Sequence, residues 1–261
     1  MASNQIRFTD GAAYERYMGK WSRLAGDLFL DWLAPAPGMR WLDVGCGSGA
    51  FTEMILERCA PASVQGIDPS TAQLEYARTR AATDIAQFRQ ADAMAQPFSD
   101  DTFDLAVMAL VIFFVPDPPR GVAEMRRVVS PGGTVSAYAW DMTAGGFPYD
   151  ALVSQMRALG FDVPRPPSPD ASRLDAMAEM WTGAGLEAVE TCEISVQRTY
   201  ADFDDYWTTI LGGASVGSTL ASMTRDQLAD LAARLQALLP PGPDGRITCH
   251  ARANAVKGRV P

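Results

Sequence analysis

The chain has 261 residues, of which 48% are hydrophobic and 20% are charged. This length and composition exclude a peptide hormone and a disordered tail, because the chain carries enough apolar side chains to bury a core. The length fits one large α/β domain or one domain with a subdomain. The net charge of -9 disfavours nucleic acid as a partner, because a polyanion would meet net repulsion.

Cysteine and lysine usage bears on metal binding and membrane contact. The 4 cysteines lie far apart without a CxxC pair, so the sequence predicts reduced thiols and no metal site. Lys20 and Lys257 are the only lysines, which leaves no lysine-rich patch for a membrane surface. No signal-peptide stretch and no apolar run of about 18 residues is present. We therefore expect a cytoplasmic protein without a membrane partner, either a monomer or a homodimer.

The predicted elements begin with a helix over 11–33, where Tyr14, Tyr17, Met18 and Trp21 stand at helical spacing. Apolar runs then alternate with helical patterns, which is typical of a parallel sheet with crossover helices. The strands predicted in this part are 40–45, 63–68, 86–93, 103–114 and 133–140. The helices predicted between them are 49–59, 71–81 and 119–129. Ser70 and Gln73 have capping-box spacing at the start of the second of these helices.

The remaining chain is mostly helical by pattern, with two more strands. Helices are predicted over 148–159, 171–184, 203–211 and 224–239, and strands over 186–200 and 246–258. The sheet needs both late strands to reach seven, so we predict a single domain over 1–261. In it, 1–35 is an N-terminal helical lid, 40–140 is the core, and 141–185 and 201–245 are helical insertions that cap the substrate.

The strongest local motif is WLDVGCGSGA at 41–50, a strand that runs into a glycine-rich turn and opens a helix. Gly45, Gly47 and Gly49 permit positive φ and close backbone approach, so that amide N–H groups at the helix N-terminus can face a ligand. With Ala50 in the last place, the motif also fits the dinucleotide fingerprint GxGxxG/A. Alone, the motif does not identify the ligand.

Acidic residues at three strand ends refine the prediction. Asp43 precedes the loop, and its charge would repel a pyrophosphate and favour the ammonium or sulfonium group of S-adenosylmethionine (SAM). Asp68, 21 residues after Gly47, can accept hydrogen bonds from two ribose hydroxyls, as it would in a nicotinamide enzyme. Asp92 can accept from an adenine amine, while the N–H of Ala93 reaches a ring nitrogen.

In their order, these motifs resemble class I SAM-dependent methyltransferases of the type 11-like, small-molecule group. The matching segments are Asp43 to Gly49, Gly66 to Ser70, Asp92 to Asp104 and Arg127 to Gly133, with Val129-Ser130 where that family commonly has Leu-Lys. The segments 14–23 and 204–207 are similar to one bacterial branch. The resemblance implies a Rossmann-like α/β fold: a seven-stranded mixed sheet whose last strand is antiparallel, with helices on both faces.

The resemblance also implies roles for individual residues. It places Gly45, Cys46 and Gly47 beside the methionine moiety, Asp68 with Pro69 and Ser70 at the ribose, Asp92 and Ala93 at the adenine, and Ala109 and Leu110 near the amino group. Cys46 is interpreted as a small packing residue. Tyr17, Trp21 and Arg23 either close over the cofactor, with Arg23 meeting its carboxylate, or pack as an amphipathic helix with Arg23 in solvent.

The acceptor site is predicted from aromatic residues near the carboxyl ends of the strands. These are Phe113, Trp140, Phe147, Tyr149, Tyr206 and Trp207. Asp141 and Tyr149 are the polar groups there that are most able to contact a substrate proton, yet no catalytic base is assigned. The single histidine, His250, is interpreted as a packed or surface residue of the last strand.

Three functions stay open at this point. The leading hypothesis is methyl transfer from SAM to a small-molecule acceptor, which works mainly through orientation. The second is a nicotinamide-dependent oxidoreductase, which Asp43 and the absence of a Tyr-x-x-x-Lys pair disfavour. The third is a SAM-binding protein without catalytic activity.

Overall fold

A computed structural model describes residues 15–81, 84–211 and 216–261. The described residues form one seven-stranded sheet in the order β3-β2-β1-β4-β5-β7-β6. Its strands are β1 (Arg40–Val44), β2 (Ser63–Asp68), β3 (Ala86–Gln90), β4 (Phe103–Ala109), β5 (Val129–Trp140), β6 (Glu187–Tyr200) and β7 (Ile247–Arg259). Strands β1 to β5 pair in parallel, whereas β7 is antiparallel to both β5 and β6. The predicted mixed sheet with an antiparallel last strand is confirmed.

The helices connect these strands and begin after a short π-helical turn at Glu15–Gly19. They are α1 (Lys20–Leu33), α2 (Ala50–Arg58), α3 (Thr71–Arg80), α4 (Pro118–Val128), α5 (Asp150–Ala158), α6 (Leu174–Gly183), α7 (Phe203–Leu211), α8 (Gly217–Ala221) and α9 (Arg225–Leu238). Single 3₁₀ turns lie at Ile112–Phe114 and Pro169–Ser172. Tyr14, at the predicted start of the first helix, lies outside the described residues.

Helices cover both faces of the sheet, as the alternating side chains of β5 show. On one face, the ring of Tyr138 stacks on Phe29 of α1, with ring centroids 4.5 Å apart. On the other face, the indole of Trp181 on α6 donates to the Val135 carbonyl at 2.8 Å. Because both faces are covered, β1 is buried along nearly its whole length.

Several predicted boundaries are wrong for identifiable reasons. The apolar run 103–114 is not one strand, because the chain leaves β4 at Leu110, where φ is +61°, and enters a 3₁₀ turn. Strand β3 ends at Gln90 rather than 93. Strand β5 begins at Val129 instead of 133, since Val129 pairs with Phe103 and the Gly132 N–H donates to the Val260 carbonyl.

The helices of the predicted cap pack in different places. Helix α6, within the segment 141–185, packs on β6 and β7 and belongs to the helical layer of the sheet. Helices α5 and α9 pack against each other. Only the proline-rich segment 165–167 of this insertion reaches the large cavity described next.

Candidate functional site

A cavity of about 1390 Å³ opens at the carboxyl ends of β1, β2 and β4. Ligand pockets for a single drug-sized molecule have volumes of roughly 300 to 1,000 Å³. This cavity therefore has room for a cofactor and a second small molecule. It contains most of the predicted cofactor residues, namely Asp43, Gly45, Cys46, Gly47, Asp68, Pro69, Ser70, Asp92, Ala93, Ala109 and Leu110.

The glycine-rich loop forms the floor of the cavity. Gly45 has φ of +75°, and a Cβ added to it would lie 2.5 Å from Cγ1 of Val111, so no side chain fits there. Gly47 has φ of +52°, and a Cβ there would meet only the Gly45 carbonyl, at 4.0 Å. The backbone is therefore packed tightly against Val111, which follows β4, on one side and is open to the cavity on the other.

Asp68 at the end of β2 ties this loop to the next one. Its Oδ2 accepts the Gly47 N–H at 3.0 Å, and its Oδ1 accepts the Ser70 N–H at 2.8 Å. Burial raises the pKa of this carboxyl, although both backbone N–H groups oppose the shift. Each carboxylate oxygen keeps a further lone pair, so the side chain can still accept hydrogen bonds from a ligand.

Asp43 lies deeper, fully buried at the cavity wall. Its Oδ2 accepts the Thr52 hydroxyl proton at 2.7 Å, whereas its Oδ1 has no hydrogen-bond partner. Burial raises the pKa of Asp43 to about 7, and the Thr52 hydrogen bond reduces that shift. An unpartnered buried carboxylate oxygen is costly, and a cation in the cavity would satisfy it.

Residues that follow β3 and β4 also line the cavity. Asp92 is exposed, and its Oδ1 accepts the Met94 N–H at 2.8 Å. Leu110 holds a left-handed backbone conformation, in which its N–H donates to the Tyr138 carbonyl at 2.8 Å. A leucine with positive φ is uncommon, and such strained residues cluster at functional sites.

Tyr17 and Trp21 follow the second of the two predicted arrangements, in which the N-terminal helix packs on the body of the protein. Arg23 reaches the cavity, but its guanidinium pairs with Glu57 at 2.5 Å, so it is neither free for a carboxylate nor fully solvated. Tyr17 and Trp21 do not line the cavity. They are buried in the core, where Tyr17 stacks on Tyr149 at 4.0 Å.

The six aromatic residues predicted for the acceptor site do not line this cavity, and their contact with an acceptor stays a prediction; they are Phe113, Trp140, Phe147, Tyr149, Tyr206 and Trp207. Four of them are buried outright, and Phe147 and Trp207 are half-buried. Tyr149 donates its hydroxyl proton to the Tyr17 carbonyl at 2.7 Å. The Asp141 carboxylate forms an ion pair with Arg252 at 2.7 Å, and Arg252 balances its charge. His250 is exposed and lies outside the cavity.

Other side chains line the cavity instead of these six. Phe114 and Tyr138 line the cavity, together with Lys20 and the segment 165–167. The alternation of side chains along β5 predicts which face of the sheet Tyr138 points to. It does not predict that Tyr138 reaches the cavity. Phe114 is adjacent to Phe113 in the sequence, and the 3₁₀ turn determines that the Phe114 ring lines the cavity while Phe113 is buried.

The Cys46 thiol is buried at the cavity wall. Burial, and then the charges of Asp43 and Asp68, raise its pKa well above the usual range, so the reactive thiolate is suppressed. We expect iodoacetamide at pH 8 to spare Cys46 in the folded protein while it modifies the half-buried Cys192, as read by peptide mass spectrometry. Cys46→Ala should keep cofactor affinity, and rapid Cys46 labelling would contradict the packing role.

No described helix is long and apolar enough to cross a membrane. Within the described ranges, no group of three or more histidine, cysteine, aspartate or glutamate side chains is arranged to hold a metal ion.

Comparison with known proteins supplies the family. Residues 42–137 match the family described as "Methyltransferase domain". The chain is 39% identical over 145 residues to the ubiquinone/menaquinone biosynthesis C-methyltransferase UbiE of Ruegeria sp. (strain TM1040), a match that covers 54% of this chain and 56% of that protein. It is 32% identical over 174 residues to the 2-phytyl-1,4-naphtoquinone methyltransferase of Synechococcus elongatus, covering 64% of this chain and 70% of that protein.

The fold has close parallels among solved structures. The YcgJ protein of Bacillus subtilis superposes with a TM-score of 0.62 at 18% identity, covering 91% of this chain and 98% of that one. The chain therefore belongs to the class I SAM-dependent methyltransferases, whose methyl donor is SAM.

Proposed function

We propose that this chain is an enzyme that transfers a methyl group from SAM to a small-molecule acceptor. The observation that carries the proposal is the large cavity, in which the glycine-rich loop, Asp43 and Asp68 meet at adjoining strand ends. We infer that residues 1–261 form one domain, because strands from Arg40 to Arg259 share one sheet.

The chemistry of the cavity residues fits SAM. The unpartnered Oδ1 of Asp43 would accept from its ammonium group, and Asp68 would accept from its ribose hydroxyls. Gly45 and Gly47 would allow the backbone to approach the methionine moiety, with Cys46 packing beside them. Asp92, Ala93, Pro69 and Ser70 would line the nucleoside, and Ala109 and Leu110 would lie near the amino group.

We assign the acceptor to the part of the cavity lined by Phe114, Tyr138 and the segment 165–167. These walls are mainly apolar and aromatic, which suits an apolar acceptor. The relatives UbiE and the Synechococcus enzyme act on quinone-type molecules by name. A ring-containing acceptor of that kind is therefore the first class to assay.

The chain's contribution to the reaction is orientation. SAM supplies a methyl group already activated by its sulfonium, so the residues have to hold an acceptor atom in line with it. Fixing two reactants in this way can lower a barrier by roughly 7 to 11 kcal/mol in the best intramolecular cases. Among the residues that line the cavity, Tyr138 carries the aromatic hydroxyl.

The test is to incubate the protein with SAM and a panel of metabolites that includes quinols, and to measure S-adenosylhomocysteine and methylated products by mass spectrometry. Product formation that Asp68→Ala abolishes would support the proposal. SAM binding without methylation of any acceptor would favour a non-catalytic SAM-binding protein. The two named relatives described above are methyltransferases.

Asp43 makes cofactor binding dependent on pH. A bound ammonium favours the ionised carboxylate, so affinity for S-adenosylhomocysteine should rise as pH increases through about 7. Below that pH, we expect the affinity to change by up to about tenfold per pH unit. Calorimetry between pH 6 and pH 7.5 would measure the change. Asp43→Asn should remove the dependence, and an unchanged slope in that variant would contradict the assignment.

The same carboxyl affects the stability of the free protein with the opposite sign. Its pKa is raised in the folded state, so its contribution to stability is fully present below the unfolded pKa of about 3.9 and is lost as pH rises through about 7. Without ligand, the wild type should therefore lose stability relative to Asp43→Asn between these values, as measured by urea unfolding. A constant difference between the two proteins would contradict the raised pKa.

A further inference from the structure

Among the described residues, four cationic side chains line the large cavity, and two of them have no ion pair. Arg23 and Arg80 each pair with a glutamate of α2. The other two are Lys20, at the start of α1, and Arg165, in the proline-rich segment. The ion pairs within the described ranges include neither of them. SAM carries a single carboxylate, so the bound cofactor neutralises at most one of these two charges.

The proline-rich segment holds Arg165 on the wall of the cavity assigned to the acceptor. A proline stands on each side of Arg165, and prolines restrict both their own backbone and that of the preceding residue. Ser168 then anchors the segment to the 3₁₀ turn that carries Phe114. Its N–H donates to the Phe113 carbonyl at 3.1 Å, and its hydroxyl donates to the Val115 carbonyl at 2.8 Å. Arg165 therefore has little backbone freedom and belongs to the same wall as Phe114.

A second unpaired arginine lies near Arg165. Arg157, in the last turn of α5, is half-buried, and no ion pair within the described part of the chain includes it. Burial, and then the charge of Arg165, lowers the pKa of Arg157, whereas the charges of Asp150 and Asp162 oppose that shift. Two arginines that repel each other create a local positive potential in an acidic protein. An anion at this wall would be stabilised by that potential.

Given the methyltransferase function proposed above, on which this inference rests, we propose that the methyl acceptor carries a carboxylate that Arg165 binds. The apolar body of the acceptor then lies against Phe114 and the prolines of segment 165–167. A guanidinium can donate two parallel hydrogen bonds to a carboxylate, which fixes the orientation of the bound molecule as well as its position. Arg165 thus determines which atom of the acceptor faces the methyl group, and Arg157 adds to the positive potential.

Hydration is the competing explanation for Arg165. Its side chain is exposed, and an exposed arginine is ordinarily hydrated and needs no counterion. Hydration does not explain why this charge stands on a wall that is otherwise mainly apolar, near a second arginine that repels it. A bound carboxylate accounts for both observations.

The test compares 2-naphthoate with 2-naphthamide, a neutral molecule of nearly the same shape. Each is titrated by calorimetry into the full chain saturated with S-adenosylhomocysteine, so that the cofactor part of the cavity is occupied. We expect 2-naphthoate to bind at least about tenfold more tightly than 2-naphthamide, because only the carboxylate forms charge-assisted hydrogen bonds with Arg165. Added sodium chloride should weaken the binding of 2-naphthoate and not that of 2-naphthamide.

Variants of the two arginines locate the effect. Arg165→Met should weaken 2-naphthoate binding at least about tenfold and leave 2-naphthamide binding unchanged. Arg165→Lys keeps the charge without the paired donors and should weaken 2-naphthoate binding severalfold. Arg157→Met should weaken it less than Arg165→Met, because Arg157 acts through its charge alone. Arg225→Met is the matched control, since Arg225 is an exposed arginine at the start of α9 and outside the cavity, and it should change neither affinity.

Other results would overturn the proposal. They are absence of 2-naphthoate binding, equal affinities for 2-naphthoate and 2-naphthamide, and unchanged 2-naphthoate binding in Arg165→Met. If Arg165→Met weakened S-adenosylhomocysteine binding instead, Arg165 would bind the carboxylate of the cofactor, and the proposal would be wrong. If Arg165→Met does not fold, Arg165→Lys decides, and unchanged 2-naphthoate binding in that variant would overturn the assignment.

The affinity of the wild type for S-adenosylhomocysteine, measured first, separates this proposal from the proposed function. Absence of S-adenosylhomocysteine binding would refute the methyltransferase function. Binding of S-adenosylhomocysteine without binding of 2-naphthoate would leave that function standing and refute only the carboxylate on the acceptor.

Discussion

The Asp68→Ala variant is expected to bind S-adenosylhomocysteine about 100-fold more weakly than the wild type, because it loses two charge-assisted hydrogen bonds to the ribose at roughly 1.5 kcal/mol or more each. The variant also removes the acceptor for the N–H groups of Gly47 and Ser70, which holds the loop in place. Calorimetry measures the affinity, and circular dichroism checks that the variant is folded.

Asp141→Ala is the matched control for this variant. Like Asp68, Asp141 is a carboxylate that accepts backbone N–H groups, here from Thr143 and Ala144, and it lies outside the cavity. Its loss should lower stability and leave S-adenosylhomocysteine affinity unchanged. If the two variants weakened binding equally, Asp68 would act only through general stability, and its assignment to the ribose would be wrong.

Gly45→Ala should lower the free energy of unfolding by about 3 kcal/mol, through the combined costs of a left-handed alanine and of overpacking. The added Cβ would lie 2.5 Å from Val111, and the displaced loop should also lose S-adenosylhomocysteine binding. Urea unfolding and calorimetry measure the two effects separately.

Gly38→Ala provides the control, because Gly38 has φ of +78° and an added Cβ would meet nothing within 4 Å. This variant should lose only about 1 kcal/mol, the cost of left-handed alanine. Adding Val111→Ala to Gly45→Ala should restore part of the stability. Equal losses in the two glycine variants would show that contact with Val111 contributes nothing.

Local patterns predicted the parts of the fold that local forces determine. The bounds of β2 and α7 agree with the prediction, and Ser70 caps α3 by accepting the Gln73 N–H. The break of β4 at Leu110 had no local signal, because the run 105–114 on both sides of it is apolar throughout. A hydrogen bond to Tyr138, distant in sequence, fixes that turn.

The candidate site was also predictable only where local sequence patterns determine it. The glycine-rich loop and the acidic strand ends were predictable, because residues adjoining a strand end reach the same edge of a parallel sheet. The aromatic residues assigned to the acceptor were not, since aromatic rings also pack with one another. The stacking of Tyr149 on Tyr17, far away along the chain, could not be read from spacing.

Calorimetric titration of the wild-type chain with S-adenosylhomocysteine and with NADH tests the central claim most directly. The cavity residues predict saturable binding of one S-adenosylhomocysteine per chain and no binding of NADH. Binding of NADH without binding of S-adenosylhomocysteine would contradict the account.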